Sequence, residues 1–517
     1  MAPSVPEFYA GKSVFITGGT GFVGKLLVEK LLRACPDIRT IYLLIREKKN
    51  ISGEERLQQM CECKVFDLLR ERNPEFSKNL RLIGGDITID GLGMSEVDRQ
   101  ELVEHCNIVF HSAACVRFDQ TLKVAININI KGTLRVLTLA ESMKNIEAFV
   151  HVSTAYCRCE LPQLSERLYP VVHAPRRLLQ LLEWMDDDTL AYLQPKLIAS
   201  EPNTYSYTKA VTEDLVNEFS SKFPVAIVRP SIVIATWKEP FAGWVDGMNG
   251  ATGIVIGSGK GVIRTMLCEA KYTVDAVGVD VVVNGCILVA YATALDKLRE
   301  TQVYNLTLNK MIRFSWAHVL ELGEKWMHQY PFTVALWYPG GNIRSYWITY
   351  QISKFFYHLL PAYLIDGLLF LLRRERFMVK LQARISHGLE VVQYYTTKEW
   401  HFNNERFLSL HTRINAEDQS TFYFVDPHMD MDHYFENFVL GIRQYCCKED
   451  PGNLPRARRL HRIRYIVDRA VKLFFLTLLL LFFFSKRHYF LSYVEMLDNA
   501  FKSLSPFPII RREDYLY

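Results

Sequence analysis

Residues 17–24 decide the fold, and they read Thr17-Gly18-Gly19-Thr20-Gly21-Phe22-Val23-Gly24. The run follows an apolar, strand-like segment at 14–16 and opens a helix-patterned stretch that extends to residue 32. In such a unit Gly18 lets the chain reverse, Gly21 lets the backbone approach a pyrophosphate, and Gly24 lets the helix pack against the strand. Amide groups at the positive end of the helix dipole can then bind phosphate. The stretch therefore predicts a dinucleotide-binding site.

The first 290 residues repeat this alternation of strand and helix. Apolar runs lie at 14–16, 41–45, 82–83, 108–110, 149–152 and 225–228. The pattern is typical of an α/β, doubly wound parallel sheet of the Rossmann type, in which ligands bind beyond the carboxyl ends of the strands. The glycine spacing, Gly18-x-x-Gly21-x-x-Gly24, resembles that of the short-chain dehydrogenase/reductase superfamily. We expect a cofactor domain at 1–290, a connecting region at 291–344, a mostly helical domain at 345–450 and a basic segment with a hydrophobic, membrane-associating tail at 451–517.

The residue after the second apolar run indicates which cofactor is bound. Arg46 stands where a protein that prefers NAD usually carries an acidic residue, and a guanidinium suits a 2′-phosphate. This position predicts NADPH, although a solvated charged loop is the alternative. The positions expected to contact the cofactor are Thr17, Gly18, Thr20, Gly21, Phe22, Val23, Gly24, Arg46, Asp86, Ile87, Ala113, Ala114, Asn129, Pro230 and Ser231.

A second pattern predicts reduction of a carbonyl group. Tyr205 and Lys209 are four residues apart and share one face of a helix. The Lys209 ammonium is expected to lower the pKa of the Tyr205 phenol and to hold the nicotinamide ribose, so that Tyr205 can deliver a proton. Ser153 and Thr154 follow the run 149–152 and offer a hydroxyl to the substrate oxygen. By comparison with the superfamily we expect Thr154 to be catalytic, and Ser153 is the alternative candidate for the same role.

The separation between Thr154 and Tyr205 is 51 positions, about twice the spacing common in the superfamily. The extra stretch, roughly 157–202, contains leucines at 179, 181, 182, 190 and 193. It is expected either to fold over the site as an apolar lid or to form a surface insertion unrelated to substrate.

Two further motifs make the resemblance specific. Residues 237–244 read W-K-E-P-F-A-G-W, and residues 257–261 read G-S-G-K-G. Together with 358–366 and 400–403, they resemble the eukaryotic, alcohol-forming fatty acyl-CoA reductases. The resemblance implies that a long-chain fatty acyl-CoA is reduced by two NADPH through an aldehyde to a primary alcohol, with release of CoA and without a covalent cysteine. It also makes Lys238, Lys260 and Arg264 candidate contacts for the CoA phosphates, unless they are ordinary solvated charges.

The chain departs from that family at two positions. Gly278 stands where the family usually has proline, and His433 stands where it usually has tryptophan. Three other classes stay open: a related reductase that acts on another lipid or stops at the aldehyde, a sugar-nucleotide isomerase, and a non-catalytic scaffold that binds NADPH.

Composition narrows the possible partners. The 61 Lys and Arg exceed the 56 Asp and Glu by only five charges, which gives no reason to expect nucleic acid. The eleven cysteines form no C-x-x-C pair, so we expect reduced thiols and no metal site.

The most apolar run lies at 473–484, between basic residues on both sides. Twelve helical residues span about 18 Å, less than the ~30 Å of a hydrocarbon core, so the run is expected to insert partly or to cross a thin membrane. Without an N-terminal signal, this tail predicts a cytosol-facing enzyme on the endoplasmic reticulum, a lipid droplet or a peroxisome. The apolar segment 355–372 contains His358, Pro361 and Asp366, and is expected to be a pocket, a membrane-facing helix or a plain core helix.

Overall fold

The computed structural model describes residues 3–199, 201–308, 311–424 and 429–504. Its centre is a sheet of seven parallel strands in the order β3-β2-β1-β4-β5-β6-β7. The strands are β1 Ser13–Thr17, β2 Thr40–Ile45, β3 Leu80–Gly84, β4 Cys106–His111, β5 Ala148–Val152, β6 Val225–Pro230 and β7 Gln302–Leu306. This confirms the predicted doubly wound parallel sheet.

Helices cover both faces of the sheet, and this explains why its strands read as continuous apolar runs. Phe22–Ala34 and Val279–Asp296 pack on one face, and Glu96–His105, Gly132–Ser142 and Thr204–Asn217 pack on the other. The seventh strand lies in the segment expected to be a connecting region. The boundary predicted at residue 290 therefore divides the sheet, which continues to Leu306.

Other elements surround the central sheet. Within the described ranges, four two-stranded sheets pair Ile232–Ile234 with Ala276–Gly278, Thr265–Leu267 with Asn342–Arg344, Thr273–Val274 with Phe314–Ser315, and Gln163–Leu164 with His401–Phe402. The other α-helices are Val5–Tyr9, Gly53–Cys61, Asp67–Arg72, Leu122–Ala125, Pro175–Trp184, Asp187–Leu197, Ala251–Gly259, Trp316–Gln329, Trp347–Lys354, Leu360–Leu371, Met378–Thr396, Glu405–Ser409, Ala416–Thr421, Met431–Gly441, Leu454–Ser485 and Arg487–Leu504. Three π-helical turns, Ile126–Lys131, Phe355–Leu359 and Ile442–Cys446, connect or extend helices.

The insertion at 157–202 packs beside the sheet and does not form the expected lid. Its helices Pro175–Trp184 and Asp187–Leu197 bury Leu178 and Leu190 in the core on the side of the Tyr205 helix. Arg229 of β6 holds the start of the insertion: its guanidinium pairs with Glu213 at 2.5 Å and donates to the carbonyl oxygens of Ser165 and Arg167. This fully buried clamp makes the insertion part of the scaffold.

The motif at 237–244 forms a turn held by one carboxylate. Asp280 accepts hydrogen bonds from the backbone amides of Trp237, Lys238 and Glu239, and from the Tyr423 hydroxyl. A Cβ built at Gly278 would lie 2.6 Å from Asp280 Oδ1. The departure from proline at 278 therefore leaves room for the carboxylate that fixes this turn.

Among the residues that the structure describes, two helices are long and apolar enough to cross a membrane by length and composition alone. Val279–Asp296 is almost wholly buried and covers the sheet, so it is a core helix. Trp347–Leu371, which includes the π-helical turn, is mostly exposed. The predicted tail forms the helix Leu454–Ser485, whose apolar residues from Leu473 to Phe484 are 45–70% exposed. Residues 505–517 of the predicted tail domain lie outside the described residues.

Candidate active site

A cavity of about 1280 Å³ opens beyond the carboxyl ends of the strands, where the topology predicts a ligand. The glycine turn forms one of its walls through Gly18, Thr20, Gly21, Phe22, Val23 and Gly24. Gly18 has φ +77°, and a Cβ there would lie 2.8 Å from the Ala113 amide nitrogen. A Cβ on Gly24 would overlap Gly18 O. Side chains would fill this cradle, so the bare backbone fits the close approach of a dinucleotide pyrophosphate.

Other predicted cofactor residues divide into two groups. Arg46, Asp86, Ile87, Ala113, Ala114, Pro230 and Ser231 line the cavity. Thr17 and Asn129 do not line it, because both are buried behind its wall. Thr17 Oγ1 lies 2.7 Å from His111 Nδ1, and Asn129 hydrogen-bonds the backbone of Cys115 and the Thr208 hydroxyl. Both residues thus fix the loop 112–115 from behind.

The part of the cavity wall that holds Arg46 carries a second arginine, Arg56, which the sequence did not predict. Arg46 is 52% exposed, and its Nη1 lies 3.1 Å from Asp86 Oδ2. Arg56, on the helix Gly53–Cys61, also lines the cavity and donates to Arg46 O at 2.6 Å and to Thr20 Oγ1 at 3.0 Å. Burial and the nearby Arg46 charge lower the pKa of Arg56. Sequence reasoning missed Arg56, since a single arginine inside a helix carries no signal of its own.

Tyr205 and Thr154 meet in the middle of the cavity wall. The helix Thr204–Asn217 is capped by Asn203, whose side chain accepts from the Ser206 amide, and its first turn places Tyr205 beside the end of β5. Tyr205 and Thr154 both line the cavity at this point. The Phe118 ring stacks on Tyr205 with centroids 5.5 Å apart. Two side chains that carry hydroxyl groups therefore line the same cavity.

The protonation of this pair differs from the expectation. Burial raises the pKa of Tyr205 well above its usual value, and the side chain of Thr154 opposes this only in part. Burial also lowers the pKa of Lys209 to about 8, against the charge of Glu213. The Lys209 ammonium donates to the Val152 carbonyl oxygen at 2.6 Å and is not among the groups that shift the Tyr205 pKa. Tyr205 is thus protonated at neutral pH, as a proton donor must be.

Ser153 lines the same wall, but its hydroxyl is already engaged. Its Oγ donates to Glu213 Oε1 at 2.6 Å, and Glu213 is the carboxylate that pairs with Arg229. Thr154 also lines the cavity, and its side chain acts to lower the pKa of Tyr205. The geometry favours Thr154 over Ser153 for contact with a substrate oxygen.

The three predicted phosphate contacts lie away from the cavity lining. Lys238 Nζ stacks over the Trp237 ring at 3.9 Å, and Lys260 Nζ lies 5.9 Å from the Phe332 ring centroid. Arg264 Nη2 lies 3.4 Å from Asp468 Oδ1. Arg117 and Arg384 line the cavity instead, beside the exposed His387.

The remaining wall of the cavity is apolar. The small sheets, the helix Trp316–Gln329 and the C-terminal helices supply it. Its side chains include Ile234, Val255, Phe314, Val319, Phe435 and Phe438. Within the described part of the chain, no group of three or more His, Cys, Asp or Glu could hold a metal ion.

Comparison with known proteins gives the family. A family model described as male sterility protein, of a NAD-binding type, matches residues 16–286, and a second with the same description matches residues 357–449. Fatty acyl-CoA reductase 1 of Homo sapiens is 39% identical over 466 residues, which cover 89% of this chain and 90% of that protein. Fatty acyl-CoA reductase 2 of Homo sapiens is 37% identical over 478 residues, 91% of this chain and 92% of that protein.

Solved structures agree on the fold. The terminal R domain of the myxalamid PKS-NRPS biosynthetic pathway has a TM-score of 0.57 at 19% identity and covers 84% of this chain and 91% of that one. The reductase domain of a nonribosomal peptide synthetase from Mycobacterium tuberculosis has a TM-score of 0.55 at 17% identity, with 86% and 94% covered. The motifs, the two matched domains and the relatives agree, and the chain belongs to the fatty acyl-CoA reductase family of extended short-chain dehydrogenase/reductases.

Proposed function

We propose that this protein reduces a long-chain fatty acyl-CoA to the primary alcohol with two NADPH, through an aldehyde and with release of CoA. The observation that carries the proposal is that the pair of Thr154 and Tyr205 lines one cavity with a glycine cradle and an apolar wall. A nicotinamide cofactor bound in the cradle supplies hydride. The pair supplies what the carbonyl oxygen then needs, a proton and a second hydrogen bond.

The chain offers a site for each part of NADPH. The backbone of the glycine turn would hold the pyrophosphate, because its cradle leaves room for nothing larger than hydrogen on Gly18 and Gly24. Arg46 and Arg56 would hold the 2′-phosphate between two guanidinium groups. Lys209, which is buried next to the Tyr205 turn, would contact the nicotinamide ribose. The 2′-phosphate pair is the reason to propose NADPH over NADH.

The residues at the carbonyl perform the same task twice. Tyr205 donates its proton to the oxygen of the thioester as the carbon is reduced, and Thr154 donates a hydrogen bond to that oxygen. The Lys209 ammonium, which donates to the Val152 carbonyl oxygen, would hold the nicotinamide ribose beside this pair. The Tyr205 phenolate takes back the hydroxyl proton of the resulting hemithioacetal as the CoA thiolate leaves, which gives an aldehyde and a protonated Tyr205. A second hydride and a second proton from Tyr205 give the alcohol.

The apolar wall suits a long hydrocarbon chain. Each methylene removed from water there contributes ~0.8 kcal/mol to binding. At the charged part of the lining, Arg384 is better placed for the CoA phosphates than Lys238, Lys260 and Arg264, whereas Arg117 is paired with Asp119 at 2.9 Å. Arg384 is exposed and has no ion pair within the described residues, so it is available to a phosphate.

The tail at 473–484 is proposed to hold the enzyme on a membrane, with the catalytic domain in the cytosol on the endoplasmic reticulum, a lipid droplet or a peroxisome. Its exposed phenylalanines and leucines and the preceding arginines support this proposal. Deletion of 470–517 is expected to release the protein into the soluble fraction. Continued membrane association would contradict an anchor in the tail.

Product stoichiometry tests the reaction. The full chain, purified in detergent, is supplied with NADPH and a series of acyl-CoAs, and alcohol, aldehyde and free thiol are measured together. Two NADPH consumed per thiol released, with alcohol as the product, are expected. One NADPH per thiol with aldehyde accumulating would instead identify an enzyme that stops at the aldehyde. No thiol release with any acyl-CoA would refute the proposed substrate.

A further inference from the structure

In the segment from Trp347 to Leu371, His358 and Asp366 are buried, whereas most of the exposed side chains are apolar. His358 is buried, and its Nε2 accepts from the backbone amides of Arg264 and Thr265 at 2.8 and 3.3 Å. Asp366 is buried, and its carboxylate accepts from the amides of Phe377, Met378 and Val379. Both polar residues attach the helix to the rest of the protein.

The opposite side of the same helix, which we call the outer face, is apolar. It is formed by Trp347, Ile348, Phe356, Leu364, Phe370 and Leu371, which are 57–78% exposed. A helix on a water-soluble surface has the reverse arrangement, with apolar residues inside and polar residues outside. A contiguous exposed apolar surface of this kind marks a site of contact with a membrane or another protein.

Charge and aromatic residues indicate a lipid surface. Three exposed arginines, Arg373, Arg374 and Arg376, follow directly at the end of the outer face, and with the exposed Glu375 among them three positive charges and one negative charge leave a net charge of +2. Their positive charge complements anionic headgroups. Tyr346, Trp347 and Tyr363 are exposed beside the leucines, and tyrosine and tryptophan are the residues enriched where a bilayer meets water.

The outer face also adjoins the base of the apolar tail. Asp468 of the helix Leu454–Ser485 accepts from Trp337 Nε1 at 2.7 Å and pairs with Arg264. The Arg264 guanidinium lies 4.9 Å from the ring centroid of Tyr357, which belongs to the π-helical turn of the outer helix. The apolar run begins at Leu473, five residues and about 7.5 Å further along the tail helix. The two apolar surfaces thus begin next to each other.

We propose that the outer face lies in the interface of a phospholipid bilayer, as a second membrane contact beside the tail. The buried His358 and Asp366 keep one side of the helix on the protein, so the helix lies along the membrane and does not cross it. Met266 and Ile343, from the paired strands Thr265–Leu267 and Asn342–Arg344, line the cavity, and the helix Trp347–Lys354 packs against both strands. The bilayer and the cavity therefore lie on two sides of one two-stranded ribbon.

Photo-cross-linking to lipid tests this contact in the full chain. Benzoylphenylalanine replaces Leu364, Phe370 or, as a position in the tail, Leu479. Val172 and Tyr192, which are exposed on the insertion, are the matched controls. Each variant is reconstituted with vesicles of phosphatidylcholine and phosphatidylserine that carry an alkyne-tagged phospholipid, and adducts are counted after illumination.

Lipid adducts are expected at 364 and 370 and are expected to be lost when the vesicles are omitted, while 172 and 192 give none. Adducts at 479 without adducts at 364 and 370 would overturn the proposal and leave the tail anchor standing. Adducts at 364 and 370 without adducts at 479 would support the outer face and contradict the tail. A cross-linked dimer of the chain at 364 and 370 would show that a second copy covers this face, and would also overturn the proposal.

Discussion

Replacement of Arg56 by glutamine should reduce the preference for NADPH over NADH more than replacement of the neighbouring Arg46 does. Arg56 donates to Arg46 O and Thr20 Oγ1, and no carboxylate pairs with its guanidinium among the described residues. Its pKa is lowered by burial and by the Arg46 charge, and a phosphate dianion would relieve that repulsion. Glutamine keeps polar contact at this position but removes the charge.

The size of the effect follows from the surroundings of the two arginines. A hydrogen bond to a charged group contributes about 1.5–3 kcal/mol to binding. The loss of one such bond at Arg56 therefore corresponds to NADPH binding that is about 10–150-fold weaker. Arg46 is 52% exposed, so water screens its charge and Arg46→Gln should cost at most about 1 kcal/mol, roughly fivefold. We therefore expect the KM for NADPH to rise more in Arg56→Gln than in Arg46→Gln, with the KM for NADH nearly unchanged in both.

Initial rates at saturating acyl-CoA, with NADPH or NADH varied, measure both KM values. Arg70→Gln is the matched control, because Arg70 lies on the neighbouring helix, pairs with Asp67 and does not line the cavity. It should leave the ratio of the two KM values unchanged. An unchanged ratio of the two KM values in Arg56→Gln would refute the phosphate site; if both KM values rose equally, Arg56 would only support the fold.

Three further predictions concern the reacting groups and the apolar wall. Tyr205→Phe should lower kcat by about 10²–10⁴ with cofactor binding retained, whereas Tyr207→Phe, which removes only a hydroxyl bonded to His173, should stay close to wild type in the same assay. The ammonium of Lys209 is half lost at its pKa of about 8, so kcat/KM measured from pH 6 to 10 should fall above pH 8, and a flat profile would show that its charge is not needed. Gly323 lines the cavity, and a Cβ there meets only Met327 Cε at 3.8 Å. Gly323→Leu should therefore lower kcat/KM for the longest acyl-CoAs relative to shorter ones, while Gly323→Ala should not. An equal loss at every chain length would contradict an acyl site there.

The central sheet could be predicted well because parallel strands covered on both faces read as continuous apolar runs. Six of its strands were located in this way. The seventh, Gln302–Leu306, escaped because its five residues mix Val, Tyr and Leu with Gln and Asn, and charged residues precede it. Its place beside β6 is fixed by tertiary pairing, which no local pattern reports.

The site shows the same division between local and tertiary information. The glycine turn and Thr154 follow strand ends, and Tyr205 and Lys209 share a helix, so their position could be predicted from order along the chain. Arg56 and Arg384 reach the cavity through the docking of whole helices. The lid predicted for the insertion was wrong for a related reason. Leucines of the insertion are buried, as their pattern suggests, but Arg229 holds the insertion at the side of the sheet and not over the site.

The most direct test of the central claim is to count the hydrogens delivered to one carbon. The full chain is supplied with an acyl-CoA and with NADPH carrying deuterium at both C4 positions, and the alcohol is analysed by mass spectrometry. Reduction of the thioester and then of the aldehyde at the Thr154 and Tyr205 pair predicts two deuterium atoms at the carbinol carbon of every alcohol molecule. An alcohol with a single deuterium, or deuterated aldehyde as the end product, would contradict the proposed four-electron reduction.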